Sequence, residues 1–331
     1  MSDRTPSVPE PLVSKIPRFT APVIGVFVAV CYAAAMARDF EFDIGHFKPD
    51  SLFFHAAAVA SVLGVLLSLF YALTTVGRTA FRAVPSPSPL SVFGGILGAA
   101  MSVLLPAKAL LGYSADRASE TAESLSPVKL ALIAALLGLF LAAALLLSLR
   151  ADRRHAWYAV ICTLFGGLSV NISMFAAYFD FSVPLNSPVR NFTTLCQAAA
   201  LLFLLSEARI ALASEDEPAG LPPAFQLFAS SACAVFGIGI GGGGVLWRLL
   251  RAFGAGGETL LHNPDPNLTT ARLVLYLALG CIAADRLLAS DLRLLTTEEI
   301  EENRRKAKEE KEKKKKRSSQ EEAQTTSNDQ H

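Results

Sequence analysis

Eight long apolar runs, separated by short polar stretches, set the pattern of the chain. They fall at residues 21–37, 52–76, 90–111, 130–149, 156–179, 192–212, 224–247 and 273–292. A helix needs about 20 mainly apolar residues to cross roughly 30 Å of hydrocarbon, and the runs are of that order. None alternates with period two, which argues against strands. A soluble helical protein would need polar faces, yet Leu130 to Leu147 carries no polar side chain at all. The pattern predicts an all-α fold: a polytopic transmembrane helix bundle of about eight helices. The first run is the shortest, and Pro106 and Lys108 interrupt the third. A membrane helix tolerates proline when its neighbours satisfy the freed backbone groups, and a lysine near a helix end snorkels to the interface.

The connecting segments read as linkers. Residues 83–89 spell A-V-P-S-P-S-P, a stiff extended connector. Residues 214–223 are acidic and proline-rich, and 254–267 are rich in Gly, Pro and Asn. The most unusual local feature is Gly237 to Gly244, G-I-G-I-G-G-G-G, inside the seventh run. Its small-xxx-small spacing favours close helix approach; the competing reading is a broken helix that exposes backbone to a substrate. It is not a phosphate loop, because the Lys-Ser/Thr that would follow is missing.

Charge adds a direction to this pattern. Charged residues make up 18% of the chain, against about 25% in a typical soluble domain. Ten of the 30 Lys and Arg lie between Arg304 and Arg317, and ten of the 29 Asp and Glu lie from Glu298 onward. The net charge of +1 hides this segregation. Basic residues gather in the N-terminal segment (Arg4, Lys15, Arg18), after the second run (Arg78, Arg82), after the fourth (Arg150, Arg153, Arg154) and in the tail. With eight crossings all of these share one side, the cytoplasm by the positive-inside rule. Asp39, Glu41, Asp43 and Asp50, then Asp116, Glu120 and Glu123, fall on the other side. Arg248, Arg251 and Arg272 run against the rule. The expected organisation is a cytoplasmic N-terminal segment (1–20), a transmembrane domain (21–292) and a charged cytoplasmic tail (293–331). The tail is expected to be helical, with acidic residues first and basic ones after to suit the helix dipole, fraying into disorder by Ser318. No cleavage site follows the first run, which is expected to stay as an anchor.

Few residues offer chemistry. Cys31, Cys162, Cys196, Cys233 and Cys281 each sit in an apolar run, without C-x-x-C spacing or a neighbouring His, and read as packing residues. No metal site and no cofactor are expected. H-E-x-x-H, G-x-S-x-G and paired catalytic Asp motifs are all missing, so no enzyme is expected. Ionisable groups at membrane depth are costly and often functional. The sixth run holds Glu207 and Arg209 and the eighth holds Asp285 and Arg286, at similar depth. Adjacent positions on one helix do not face each other, so pairing between helices is expected: Glu207 with Arg286, or Arg209 with Asp285. Such a pair is either an interhelical clamp or an ion or proton site. A second candidate, at the outer half of the hairpin between the fifth and sixth runs, gathers Asn171, Asp180, Asn186, Arg190 and Gln197; ordinary interhelical hydrogen bonds are the competing reading. His55 is either a proton relay or a hydrogen-bonded packing residue.

The stretch from Phe179 to Leu212, with F-D-F-S-V-P-L-N-S-P and then L-F-L-L-S-E-A-R, is similar to uncharacterised multi-pass membrane proteins of Gram-positive-type bacteria. The resemblance covers about a tenth of the chain. It implies a bacterial plasma membrane and no catalytic residues, and it weighs against glycosylation at the sequons Asn191-Phe-Thr and Asn267-Leu-Thr. The expected partners are the lipid bilayer and, through the tail, a cytoplasmic protein or anionic lipid; no nucleic acid is expected. Two functions fit: a sensor or scaffold that presents the tail, or a small-molecule or ion transporter using the sixth to eighth helices. A water-accessible cavity at Glu207, Asp285 and the glycine-rich segment would favour transport.

Overall fold

The computed structural model describes residues 12–41, 45–75, 79–81, 87–116, 126–150, 157–179, 187–212, 221–253, 269–289 and 292–294, and in the tail 298, 301–302, 305 and 308–309. Helices dominate: α1 (Leu12–Arg38), α2 (Leu52–Thr75), α3 (Pro89–Asp116), α4 (Ser126–Leu147), α5 (Trp157–Tyr178), α6 (Pro188–Leu212), α7 (Leu221–Phe236), α8 (Gly243–Ala252) and α9 (Thr270–Ala289). A six-residue π-helix, Gly237–Gly242, joins α7 to α8 without a break. The seventh apolar run is therefore one rod, and each of the eight runs corresponds to a helix.

Six of these helices are long and apolar enough to cross a membrane: Arg18–Arg38, Leu52–Thr75, Pro89–Ala107, Trp157–Tyr178, Pro188–Leu212 and Ala224–Ala252. The apolar part described for α4, Leu132–Leu147, is shorter. Helix α9 has the length, but every 18-residue stretch of it includes Arg272, Asp285 and Arg286. The expected eight crossings are thus supported for six.

Packing is inverted relative to a soluble bundle. Helix α2 buries Ala57, Ser61, Gly64, Ser68, Ala72 and Thr75, three or four residues apart, while Val59, Leu63, Leu66, Phe70 and Leu73 point outward. Small residues inside let backbones approach, and large apolar ones outside match lipid tails. The buried hydroxyls close onto their own helix: Ser61 donates to the Ala57 carbonyl at 2.8 Å and Ser68 to that of Gly64 at 2.6 Å. This chain is a membrane protein built as a helical bundle.

Three boundaries differ from the sequence expectation. Helix α1 begins at Leu12, nine residues before the apolar run, so Lys15, Pro17 and Arg18 lie within it. Helix α7 starts at Leu221, so Pro222 and Pro223 belong to its first turn, where proline's missing N–H leaves no bond unmade. Helix α3 runs through Pro106, as the third apolar run does, and continues to Asp116, past the end of that run at residue 111. Residues 83–86, 213–220 and 254–268, which hold most of the expected linkers, and the Lys108 side chain lie outside what is described.

The turn that Pro106 opens is packed closely by α4. Proline gives no N–H to the carbonyl four residues back, that of Ser102. Gly138 of α4 lies against that carbonyl: a Cβ there would sit 2.5 Å from the Ser102 oxygen and 3.1 Å from the Pro106 ring. Gly138→Ala is expected to lower stability by about 1–3 kcal/mol through overpacking, read as a drop in thermal midpoint in detergent. An unchanged midpoint would show that α3 and α4 separate freely.

Two small sheets were not legible in the sequence. Between α1 and α2, β1 (Phe40–Glu41) pairs antiparallel with β2 (His46–Phe47), the turn using Gly45 at φ 69°. Phe47 stacks on Phe54 at 4.5 Å, and Tyr32, Phe40 and Phe192 meet this pair edge-on. Ser187, before α6, donates to the Gly45 carbonyl at 3.4 Å, so the α1–α2 and α5–α6 connections share one end. At another point β3 (Thr79–Phe81) pairs antiparallel with β4 (Leu292–Leu294), tying the segment after α2 to the root of the tail. In the tail itself Arg305 and Glu309 form an i, i+4 ion pair at 3.6 Å on helical residues; the expected fraying from Ser318 lies outside the described residues.

Candidate functional site

Three helices bring the principal polar cluster together. Glu207 sits near the end of α6, Gln226 in the second turn of α7, and Arg286 near the end of α9. Glu207 and Arg286 are 5% and 4% exposed. Arg286 Nε lies 3.5 Å from Glu207 Oε1, and Arg286 Nη2 donates to the Ser148 carbonyl, just past α4, at 2.7 Å. Gln226 Nε2 donates to Glu207 Oε1 at 3.1 Å and to Ser230 Oγ at 3.2 Å. Of the two pairings expected, the structure contains Glu207 with Arg286. Arg209 and Asp285 do not meet: the helical turn of about 100° per residue directs Arg209 to the exposed face of α6, while Asp285 is buried at 4% exposure.

The cluster therefore joins α4, α6, α7 and α9. Ser148 could not be found from the sequence because it contributes a backbone oxygen. Gln226 had a signal, being an amide near the start of an apolar run. Beside Glu207, lined also by Ser148, Thr163, Phe203, Leu204 and Ile282, lies a void of about 10 Å³, the space of about one water. The glycine-rich segment offers no opening here either. A Cβ at Gly237 would lie 2.6 Å from the Tyr276 carbonyl oxygen, one at Gly241 2.5 Å from the Leu277 nitrogen, and one at Gly243 2.7 Å from the Ala29 carbonyl oxygen. This segment is pressed backbone to backbone against α9 and α1.

At the outer hairpin, Gln197 is fully buried and donates to Ser173 Oγ at 3.3 Å. Arg190, 2% exposed, lies over the Tyr178 ring at 5.5 Å. Asn171 is half-buried on α5. Asp180 and Asn186 lie outside the described residues. Ser51, which caps α2 by accepting from the Phe54 N–H at 3.2 Å, also donates to Asp39 at 2.7 Å. His55 is exposed, 3.0 Å from the Pro49 carbonyl through Nε2. The arginines that oppose the charge rule flank an aromatic: Arg251 and Arg248 lie 4.8 and 5.6 Å from the centroid of Trp247, and Arg248 donates to Thr270 at 2.9 Å. All five cysteines are free. Among the described residues no three His, Cys, Asp or Glu are placed to hold a metal ion.

No family model, curated protein or solved structure matches the chain.

Proposed function

We propose that this is a non-enzymatic scaffold or sensor of the plasma membrane whose buried charges clamp helices together, and whose tail reaches cytoplasmic partners. Close packing of the polar cluster carries this reading: two carboxylate-to-nitrogen contacts and a backbone acceptor hold it, and the space described beside Glu207 is about 10 Å³, room for about one water. The tight backbone seam at the glycine-rich segment supports it as well. Both termini are placed in the cytoplasm on the distribution of Lys and Arg, and the β3–β4 pairing agrees in bringing the segment after α2 and the root of the tail to one end. The resemblance over Phe179 to Leu212 favours a bacterial plasma membrane. Ten basic residues from Arg304 to Arg317 suit an anionic lipid surface or an acidic protein face.

Transport is the second reading, favoured by one observation. The α7–α8 rod that carries Gln226 of the charged cluster also contains a π-helical turn further along, Gly237–Gly242, and such turns often mark functional sites. Reconstitution into proteoliposomes separates the two. The clamp reading expects no flux of protons, Na⁺, K⁺ or common metabolites above protein-free vesicles. Flux that disappears in Glu207→Gln would establish transport and overturn it.

A further inference from the structure

A second polar junction lies beside the clamp, on the adjoining face of α9. Asp285 is 4% exposed, yet its Oδ2 is buried with no hydrogen-bond partner, and no ion pair to it is formed among the described residues. Ser91, in the first turn of α3, is 0% exposed, and its Oγ is likewise buried without a partner. The register of the two helices brings these groups to the same level. Gly98 meets Ala278 and Leu275; Gly94, one turn earlier, meets Ala278, Cys281 and Ile282. The helices are antiparallel, so one further turn sets Ser91 opposite the 281–285 turn. Asp285 shares the α9 face of Ala278 and Cys281, and Arg286 is turned about 100° further round, toward Glu207 and Ser148.

The charge balance of the two junctions differs. Glu207 and Arg286 neutralise each other. Asp285 forms no ion pair among the described residues, and a buried carboxylate without one is costly. Unsatisfied buried polar atoms are rare in native proteins and point to an unplaced water or ion. A water alone would satisfy the oxygens but bring no counter-charge. A divalent ion draws on several carboxylates, and no three acidic, His or Cys groups converge among the described residues. One carboxylate with one hydroxyl suits a single positive charge.

We propose that Asp285 and Ser91 form the core of a buried site for one small monovalent metal cation at the α3–α9 junction. The ion is a resident one, and the proposal rests on these two helices rather than on the clamp reading. Flux in proteoliposomes would overturn that reading and leave this site standing.

Thermal unfolding of the whole protein in detergent tests it, comparing choline, Na⁺ and K⁺ chlorides at one ionic strength. A ligand bound only by the folded state raises the midpoint with its concentration. The wild type is expected to show a saturable rise with one alkali cation over choline. Ser91→Ala should shift that rise to higher concentration, and Asp285→Asn should abolish it. Equilibrium dialysis of the wild type with radioactive Na⁺ and K⁺ needs no variant to fold, and should give about one bound ion per chain. Equal midpoints in all three salts with no ion bound would mean that water alone occupies the junction, and would overturn the proposal. A cation effect undiminished in Asp285→Asn would overturn it as well.

Discussion

Glu207→Ala is expected to destabilise the bundle by about 3–5 kcal/mol, the cost of removing one partner of a buried ion pair. The carboxylate is the ion-pair partner of Arg286, whose side chain is 3% exposed, and it accepts from Gln226 at 3.1 Å. Without it the guanidinium keeps the Ser148 carbonyl, a neutral acceptor, as the contact described on its other side. Neutral interhelical hydrogen bonds in membranes are worth only about 0.6 kcal/mol on average, so the size of the loss reports charge and not hydrogen bonding. Removing both charges together is expected to recover most of it. Glu207→Leu with Arg286→Met replaces the pair by apolar groups of similar bulk, a change that is often neutral or stabilising. Charge reversal, Glu207→Arg with Arg286→Glu, should rescue only in part, because the new carboxylate would face the Ser148 oxygen. Unfolding midpoints of the singles and doubles give the coupling energy directly. Additive losses in that cycle would mean that the two residues act separately, and the clamp would be wrong.

The clamp shows which parts of this molecule are written in sequence and which are not. Long apolar runs yield helices because hydrocarbon satisfies no backbone groups, so every bond closes within the segment. Each run accordingly became a helix, including the glycine-rich one. The pairing of Glu207 with Arg286 was readable from two charges at matching depth in separate runs. Choosing it over Arg209 with Asp285 was not, because that choice depends on helix rotation, set by small residues such as Gly94 and Gly98 against α9. Ser148 contributes only its backbone, and Ser91 looks like any serine at a helix start. The β1–β2 hairpin was missed because two-residue strands leave no periodicity; an aromatic set spread over Tyr32, Phe40, Phe47, Phe54 and Phe192 holds it. The outer-hairpin cluster remains partly described: Gln197 and Arg190 are buried within the bundle, and Asp180 and Asn186 lie outside the described residues.

Gly241→Ala should be among the most damaging single methyls at the described glycines, and Gly242→Ala, next to it, nearly harmless. Both residues lie in the π segment Gly237–Gly242. At Gly241 a Cβ would stand 2.5 Å from the Leu277 nitrogen, 2.8 Å from the Leu273 oxygen and 3.0 Å from the Tyr276 carbonyl carbon. All three atoms are backbone of α9, so no side chain can swing away and the two rods must separate. Gly237 and Gly280 belong to the same seam, since a Cβ on Gly280 would lie 2.6 Å from the Ile238 nitrogen. At Gly242 the nearest atom is the Leu277 Cδ1 at 3.4 Å, an ordinary contact with a mobile methyl. Overpacking typically costs about 1–3 kcal/mol, and a clash with rigid backbone on both sides belongs at or above the top of that range. A glycine replaced where the conformation suits alanine gains about 0.4–1 kcal/mol through the unfolded chain, so Gly242→Ala should be neutral or slightly stabilising. The opposite signs matter more than either value. If flexibility of the π turn were what the glycines supply, both substitutions would change stability alike; if close approach is, only Gly241 responds. Unfolding midpoints of the two variants in the same detergent decide between them, and equal shifts would sink the packing account of the seam.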